Sequence, residues 1–99
     1  MPYAFFYDVP GNEQLYRRVQ SEIGDEAPKG LIVHLVVKQD DGLRHFNVWD
    51  SPEDWERFRT ERVDPAVSKV LDAIGITPPG RPEEHILDVV DVATTAANG

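Results

Sequence analysis

Apolar and polar positions alternate most clearly between Gly30 and Phe58, GLIVHLVVKQDDGLRHFNVWDSPEDWERF. Successive side chains of a strand point to opposite faces, so Leu31, Val33, Leu35 and Val37 share one face and Ile32, His34, Val36 and Lys38 the other. Only the first set is uniformly apolar. Asp41-Gly42, set between two β-rich runs, predicts a hairpin, and a two-residue or a four-residue loop alike keeps even positions of the first strand opposite odd positions of the second. That parity puts His34, His45, Asn47 and Trp49 on one face. Val33, Leu35, Val37, Phe46 and Val48 share the other, with Arg44 at its rim. The apolar group is expected under the helices, against Leu15, Val19, Phe58 and Leu71; the mixed group is expected to line a pocket or an interface.

The flanking segments complete the pattern. Tyr3 to Val9 is aromatic and β-branched and ends at Pro10-Gly11, which predicts a first strand. Asn12 is placed to cap a helix whose stripe is Leu15, Tyr16, Val19 and Ile23, with Gly24 as its stop. Ser51-Pro52-Glu53-Asp54 is a second helix start: hydroxyl cap, proline in the first turn, acids at the positive end of the dipole. Trp55 and Phe58 begin its buried stripe, and Val67, Val70, Leu71 and Ile74 continue it beyond Pro65, which predicts one helix broken or kinked near Asp64. Gly75 to Pro82 is a loop, His85 to Val92 a last strand, and 93–99 a frayed tail, so that residues 1–92 form one domain. The order βαββαβ predicts a ferredoxin-like α+β fold, a four-stranded antiparallel sheet with both helices on one face. The uncovered face, expected to carry Ile32, Val36 and Trp49, is the kind of surface a second copy would bury.

Composition narrows the function classes. Ninety-nine residues make one core. A net charge of −8 argues against nucleic acid, whose binding depends on neutralising phosphates. No apolar run approaches the length of a membrane span, and the N-terminal residues lack the layout of a secretory signal, so a cytoplasmic location is expected. With no cysteine there is no disulfide, thiolate nucleophile or cysteine-ligated metal. Arg57, Arg59 and Arg62 sit among acids on a helix and read as a solvated face with local ion pairs.

The candidate chemistry centres on His34. Mid-strand between apolar neighbours, it can serve as hydrogen-bond donor or general base toward an aromatic or enolic compound, or as a structural histidine bonded across the sheet. His45, Asn47 and Trp49 share its face. Tyr3, Phe5 and Tyr7 form an aromatic stripe that is either core or, on the face of His34, the wall of a pocket for planar ligands. His34, His45 and His85 are too scattered for a metal site, no glycine-rich loop opens a helix to hold phosphate, and Ser51 is explained as a cap.

One set of residues carries a resemblance: Pro28, Gly30, Leu31 and His34; Asp41, Gly42 and Arg44; Val48, Trp49 and Ser51; Trp55 and Phe58; Pro65 and Ala66. In this order and spacing they resemble the dimeric α/β-barrel superfamily, in particular small bacterial relatives of the antibiotic-biosynthesis monooxygenases. The resemblance spans roughly residues 2–92. It implies a homodimer with a ligand cavity between sheet and helices or within the barrel. The superfamily includes cofactor-free oxygenases, haem-degrading enzymes, isomerases and haem peroxidases, so the fold does not choose among them. The haem-degrading branch needs an iron-ligating histidine in the second helix, and Ser51 to Ile74 contains none. An Asn and a Trp often hold substrate and oxygen in the oxygenases. Trp49 matches the Val-Trp-x-Ser pattern, while Asn47 matches no catalytic asparagine.

The sequence therefore predicts a homodimer that holds a small apolar or aromatic molecule without cofactor or metal. His34 is its candidate catalytic residue, and Asn47, Trp49, His45 and Tyr7 are its candidate binding residues. Such a protein is a cofactor-independent monooxygenase or isomerase, or else a non-catalytic dimerisation or accessory module.

Overall fold

The computed structural model describes residues 2–77 and 80–93; six of the seven residues of the predicted tail, 94–99, lie outside the described residues. Strand β1 (Tyr3–Pro10) leads into helix α1 (Glu13–Ile23). Asn12 caps α1 as its sequence predicts, the side-chain oxygen accepting from the Leu15 N–H at 2.9 Å. Gly24, at φ 88°, ends it. The hairpin of β2 (Leu31–Gln39) and β3 (Gly42–Trp49) follows, then α2 (Pro52–Phe58), with Ser51 Oγ accepting from the Asp54 N–H at 3.2 Å.

The interruption expected near Asp64 takes the form of a wider helical turn. Helical backbone runs from α2 through a π-helical turn, Arg59–Val63, into α3 (Asp64–Ala73), and the Asp64 N–H donates to the carbonyl of Arg59, five residues back. Pro65 has no N–H to offer, and its ring would crowd the carbonyl four residues before it. Widening the preceding turn relieves that clash while the backbone stays helical. Strand β4 (His85–Leu87) is shorter than the predicted His85 to Val92, because only three of its residues find partners on β1: Ala4, Phe5 and Phe6.

The sheet is antiparallel in the order β2-β3-β1-β4, and the fold is the expected ferredoxin-like α+β arrangement. The hairpin loop is Asp40 and Asp41, with Gln39 opposite Gly42. Gly42 is required by proximity: a Cβ there would run into the carbonyl oxygen of Val9 on β1. Pairing follows the predicted parity, with His34 opposite Asn47, Val36 opposite His45, Leu35 opposite Phe46 and Val37 opposite Arg44. One residue departs from it. A register shift between Leu31 and Val33 sets Leu31 opposite Trp49, against the core.

The helices cover the face opposite to the one expected. Phe5, Trp49 and Trp55 form the buried cluster, with Tyr3, Tyr7, Leu31, Phe58 and Val63 packed on it, whereas Leu35 is 52% exposed. Register on β1 explains the reversal. Tyr3 faces Trp49, Phe5 faces Asn47 and Tyr7 faces His45, so three aromatics of β1 and Trp49 of β3 stand on one side, against Phe6 and Phe46 on the other. Each large aromatic buries about 150–250 Å², more than the valines of the other face can offer. The same choice draws the polar His45 and Asn47 beneath the helices, at 8% and 3% exposure.

Candidate functional site

Alternation along β2 and β3 raises His34 and His45 side by side into the layer between sheet and helices. His34 Nε2 lies 3.3 Å from His45 Nδ1. Tyr7, opposite His45 on β1, stacks on its imidazole with centroids 4.8 Å apart and planes 12° from parallel. Tyr16 comes from the inward stripe of α1 and meets His45 edge-on at 5.5 Å and His34 at 6.4 Å. Aromatic rings thus enclose His45, which is buried, whereas His34 meets only Tyr16 of these and stays exposed.

This enclosure governs charge. Burial lowers His45 from its ordinary 6.5 to about 4, and the neighbouring His34 adds to the shift. Burial lowers His34 as well. Burial also pushes the Tyr7 hydroxyl well above its usual range, with Glu84 acting in the same sense, and raises Tyr16. Near neutral pH the site therefore presents two uncharged imidazoles and two protonated phenols, able to donate and accept hydrogen bonds without carrying a net charge.

Asn47 and Trp49 lie deeper, toward Phe5 and Trp55. The Trp49 indole N–H donates to Asn47 Oδ1 at 3.2 Å, and Asn47 Nδ2 is buried without a partner among the described residues. Trp49 is 1% exposed. Of the five candidates, His34, His45 and Tyr7 are brought into one cluster; Asn47 adjoins it across the His34 pairing, and Trp49 forms the floor of the core beside it.

Three further residues escaped the sequence reading. Tyr16 reads as one member of a helical stripe, and nothing in its spacing reveals a neighbouring histidine pair. Glu84, in the segment before β4, accepts from the Trp55 indole at 3.0 Å and the Tyr3 hydroxyl at 3.5 Å, fastening that segment to the core. Arg59, expected on a solvated face, is 4% exposed. It donates to Asp64 at 3.0 Å and to Glu56, while its Nε finds no partner among the described residues. The π turn rotates it inward, an effect no α-helical periodicity anticipates.

A groove of about 200 Å³ lies between α1 and the hairpin, bounded by Glu13, Tyr16 and Arg17 of α1, Val36 and Lys38 of β2, and Leu43 of β3; it shares Tyr16 with the histidine cluster, and neither histidine lines it. A larger open hollow of about 440 Å³ lies at the hairpin end near Asn12, Gln14, Asp40 and Asp41, and shares Glu13, Lys38 and Leu43 with the groove. Among the described residues no group of three or more metal-ligating side chains occurs. Among the same residues no helix is long and apolar enough to cross a membrane.

No protein-family model and no curated protein matches this sequence. A solved structure does. The crystal structure of a "putative Antibiotic biosynthesis monooxygenase" from Chloroflexus aurantiacus J-10-fl superposes with a TM-score of 0.53 at 20% identity, over 93% of this chain and 98% of that one. The chain thus has the fold of an antibiotic-biosynthesis-monooxygenase-like protein, consistent with the resemblance carried by its hairpin and second helix.

Proposed function

We propose that the protein is a cytoplasmic homodimer that binds a small, mostly apolar and aromatic molecule between sheet and helices, and acts on it as a cofactor-independent monooxygenase or isomerase. The observation that carries this reading is the His34–His45 pair, uncharged and packed against Tyr7 and Tyr16, the last of which also lines an open groove. Planar ligands gain from aromatic walls, and neutral imidazoles can hold a hydroxyl or carbonyl group without a charge to desolvate. At about 200 Å³ the groove is smaller than the roughly 300–1,000 Å³ usual for ligand pockets, which favours a ligand of one or two rings.

The dimer reading rests on the open sheet face. Ala4, Phe6, Val33, Leu35, Phe46 and Val48 lie there together, with the Asp8–Arg44 pair, bidentate at 2.8 and 3.0 Å, set over the Phe6 ring. A second copy laid across this face would bury it.

The fully packed Phe5–Trp49–Trp55 cluster favours a second reading, a non-catalytic dimerisation or accessory module. A screen of aromatic and quinone-like compounds separates the two. Under the leading reading, His45→Gln and His34→Ala each weaken binding of the best compound at least tenfold while the protein stays folded; unchanged affinity in both variants supports the accessory module.

A further inference from the structure

We propose that His34 and His45 form a two-ring proton relay in which His45 Nε2 meets the ligand and His34 passes protons to and from solvent. The proposal rests on the site reading above and adds a direction and a division of labour to it.

The geometry fixes the order. His45 is 8% exposed and pressed between Tyr7 and Tyr16, while His34 keeps an open edge. His45 Nδ1, the nitrogen nearer its backbone, is engaged by His34 Nε2 at 3.3 Å. Its Nε2, at the far tip of the ring, has no hydrogen-bond partner among the described residues and is not sealed from the surface. When both rings are neutral, one proton lies between them and can belong to either. If it sits on His34, His45 carries its other proton at the tip and is a donor toward the ligand. If it sits on His45 Nδ1, the tip is bare and is an acceptor.

Interconversion balances without any charged ring. A proton leaving the ligand forms an N–H bond at His45 Nε2 as the Nδ1–H bond breaks; that proton moves to His34 Nε2, and His34 Nδ1–H releases one to water. The reverse order delivers a proton. A buried imidazole is a poor acid–base group when it must become a cation, and this route avoids the cation altogether. It also accounts for two histidines where a single base would suffice. The ionisable groups around the pair are Tyr7 and Asp8 of β1, Tyr16 of α1 and Lys38 of β2, the last held by Glu13 at 3.5 Å. Asp64 of α3 acts on the Tyr7 hydroxyl.

Long-range proton–nitrogen NMR on the whole chain, labelled with ¹⁵N-histidine, tests the relay without any ligand. Near neutral pH the relay predicts that both nitrogens of each ring show intermediate, exchange-averaged protonation. Replacing His34 by Phe, which keeps a ring but no hydrogen bond, should collapse His45 to a single tautomer. His34→Gln, whose amide can donate or accept by flipping, should restore part of the averaging. One fixed tautomer on each ring of the wild type, or a His45 signal indifferent to His34→Phe, overturns the proposal. Should the Phe variant fail to fold, the wild-type spectrum decides alone. Because the measurement needs no bound compound, its failure is distinct from a failure to bind aromatics, which would instead overturn the site reading.

Discussion

At the scale of single residues, the interior is governed by what burial does to polar groups. His45 is buried in neutral form, its pKa lowered from 6.5 to about 4. The unfolded chain takes up its proton near 6.5 and the folded one only near 4, so the contribution of His45 to stability is complete above 6.5 and is lost as pH falls through that window. The full loss is on the order of 3 kcal/mol. Denaturant melts at a series of pH values should therefore show the wild type losing about that much more than His45→Gln between neutral pH and about 4. Parallel curves would mean that His45 is not held neutral by the fold. Asn47 is tested by truncation. It supplies the acceptor for the Trp49 indole at 3.2 Å, so Asn47→Ala strands a buried N–H and should cost about 1–3 kcal/mol in the same melts.

At the scale of elements, caps and parity were legible in the sequence, and the choice of face was not. Asn12, Gly24, Ser51 and Pro52 act locally, through bonds within one turn, and they occupy the expected positions. Cross-strand grouping follows from the period of a strand and from loop length, so His34, His45, Asn47 and Trp49 were placed on one side correctly. Which side faces the helices depends on β1, whose register against β3 is a long-range fact. It aligns Tyr3 and Tyr7 with Trp49 and His45, and with Phe5 and Trp55 their combined aromatic area outweighs a purer apolar face that holds only Phe6 and Phe46 besides aliphatic residues. The inward turn of Arg59 was hidden for a similar reason, since the π turn answers to Pro65 and not to periodicity. The reversal can be tested. Phe5→Ala should cost about 3–5 kcal/mol, as truncation of a fully buried ring does. Phe46→Ala, on the open face, should instead appear as a concentration-dependent loss that tracks the dimer. A large, concentration-independent loss for Phe46→Ala would restore the opposite assignment.

At the scale of the whole molecule, one sheet has two different faces. One packs beneath the helices and holds the histidine pair; the other is apolar, open and suited to a second copy. Sedimentation at micromolar concentration should report twice the 11.2 kDa chain mass, and Leu35→Lys, which places a charge on the open face midway along edge strand β2, should return it to one chain. A wild type that sediments as a single chain would remove the dimer from the account and leave the site beneath the helices in place.

The central claim is that ligands enter between sheet and helices, at His34 and His45. It is tested most directly by titrating the ¹⁵N-labelled protein with a planar probe, 2-hydroxy-1,4-naphthoquinone, and mapping which signals move. The account predicts saturable shifts centred on His34, His45, Tyr16 and Val36, abolished in His45→Gln. Shifts confined to Leu35, Phe46 and Val48 on the opposite face, or no shift at the histidines at millimolar probe, would contradict it.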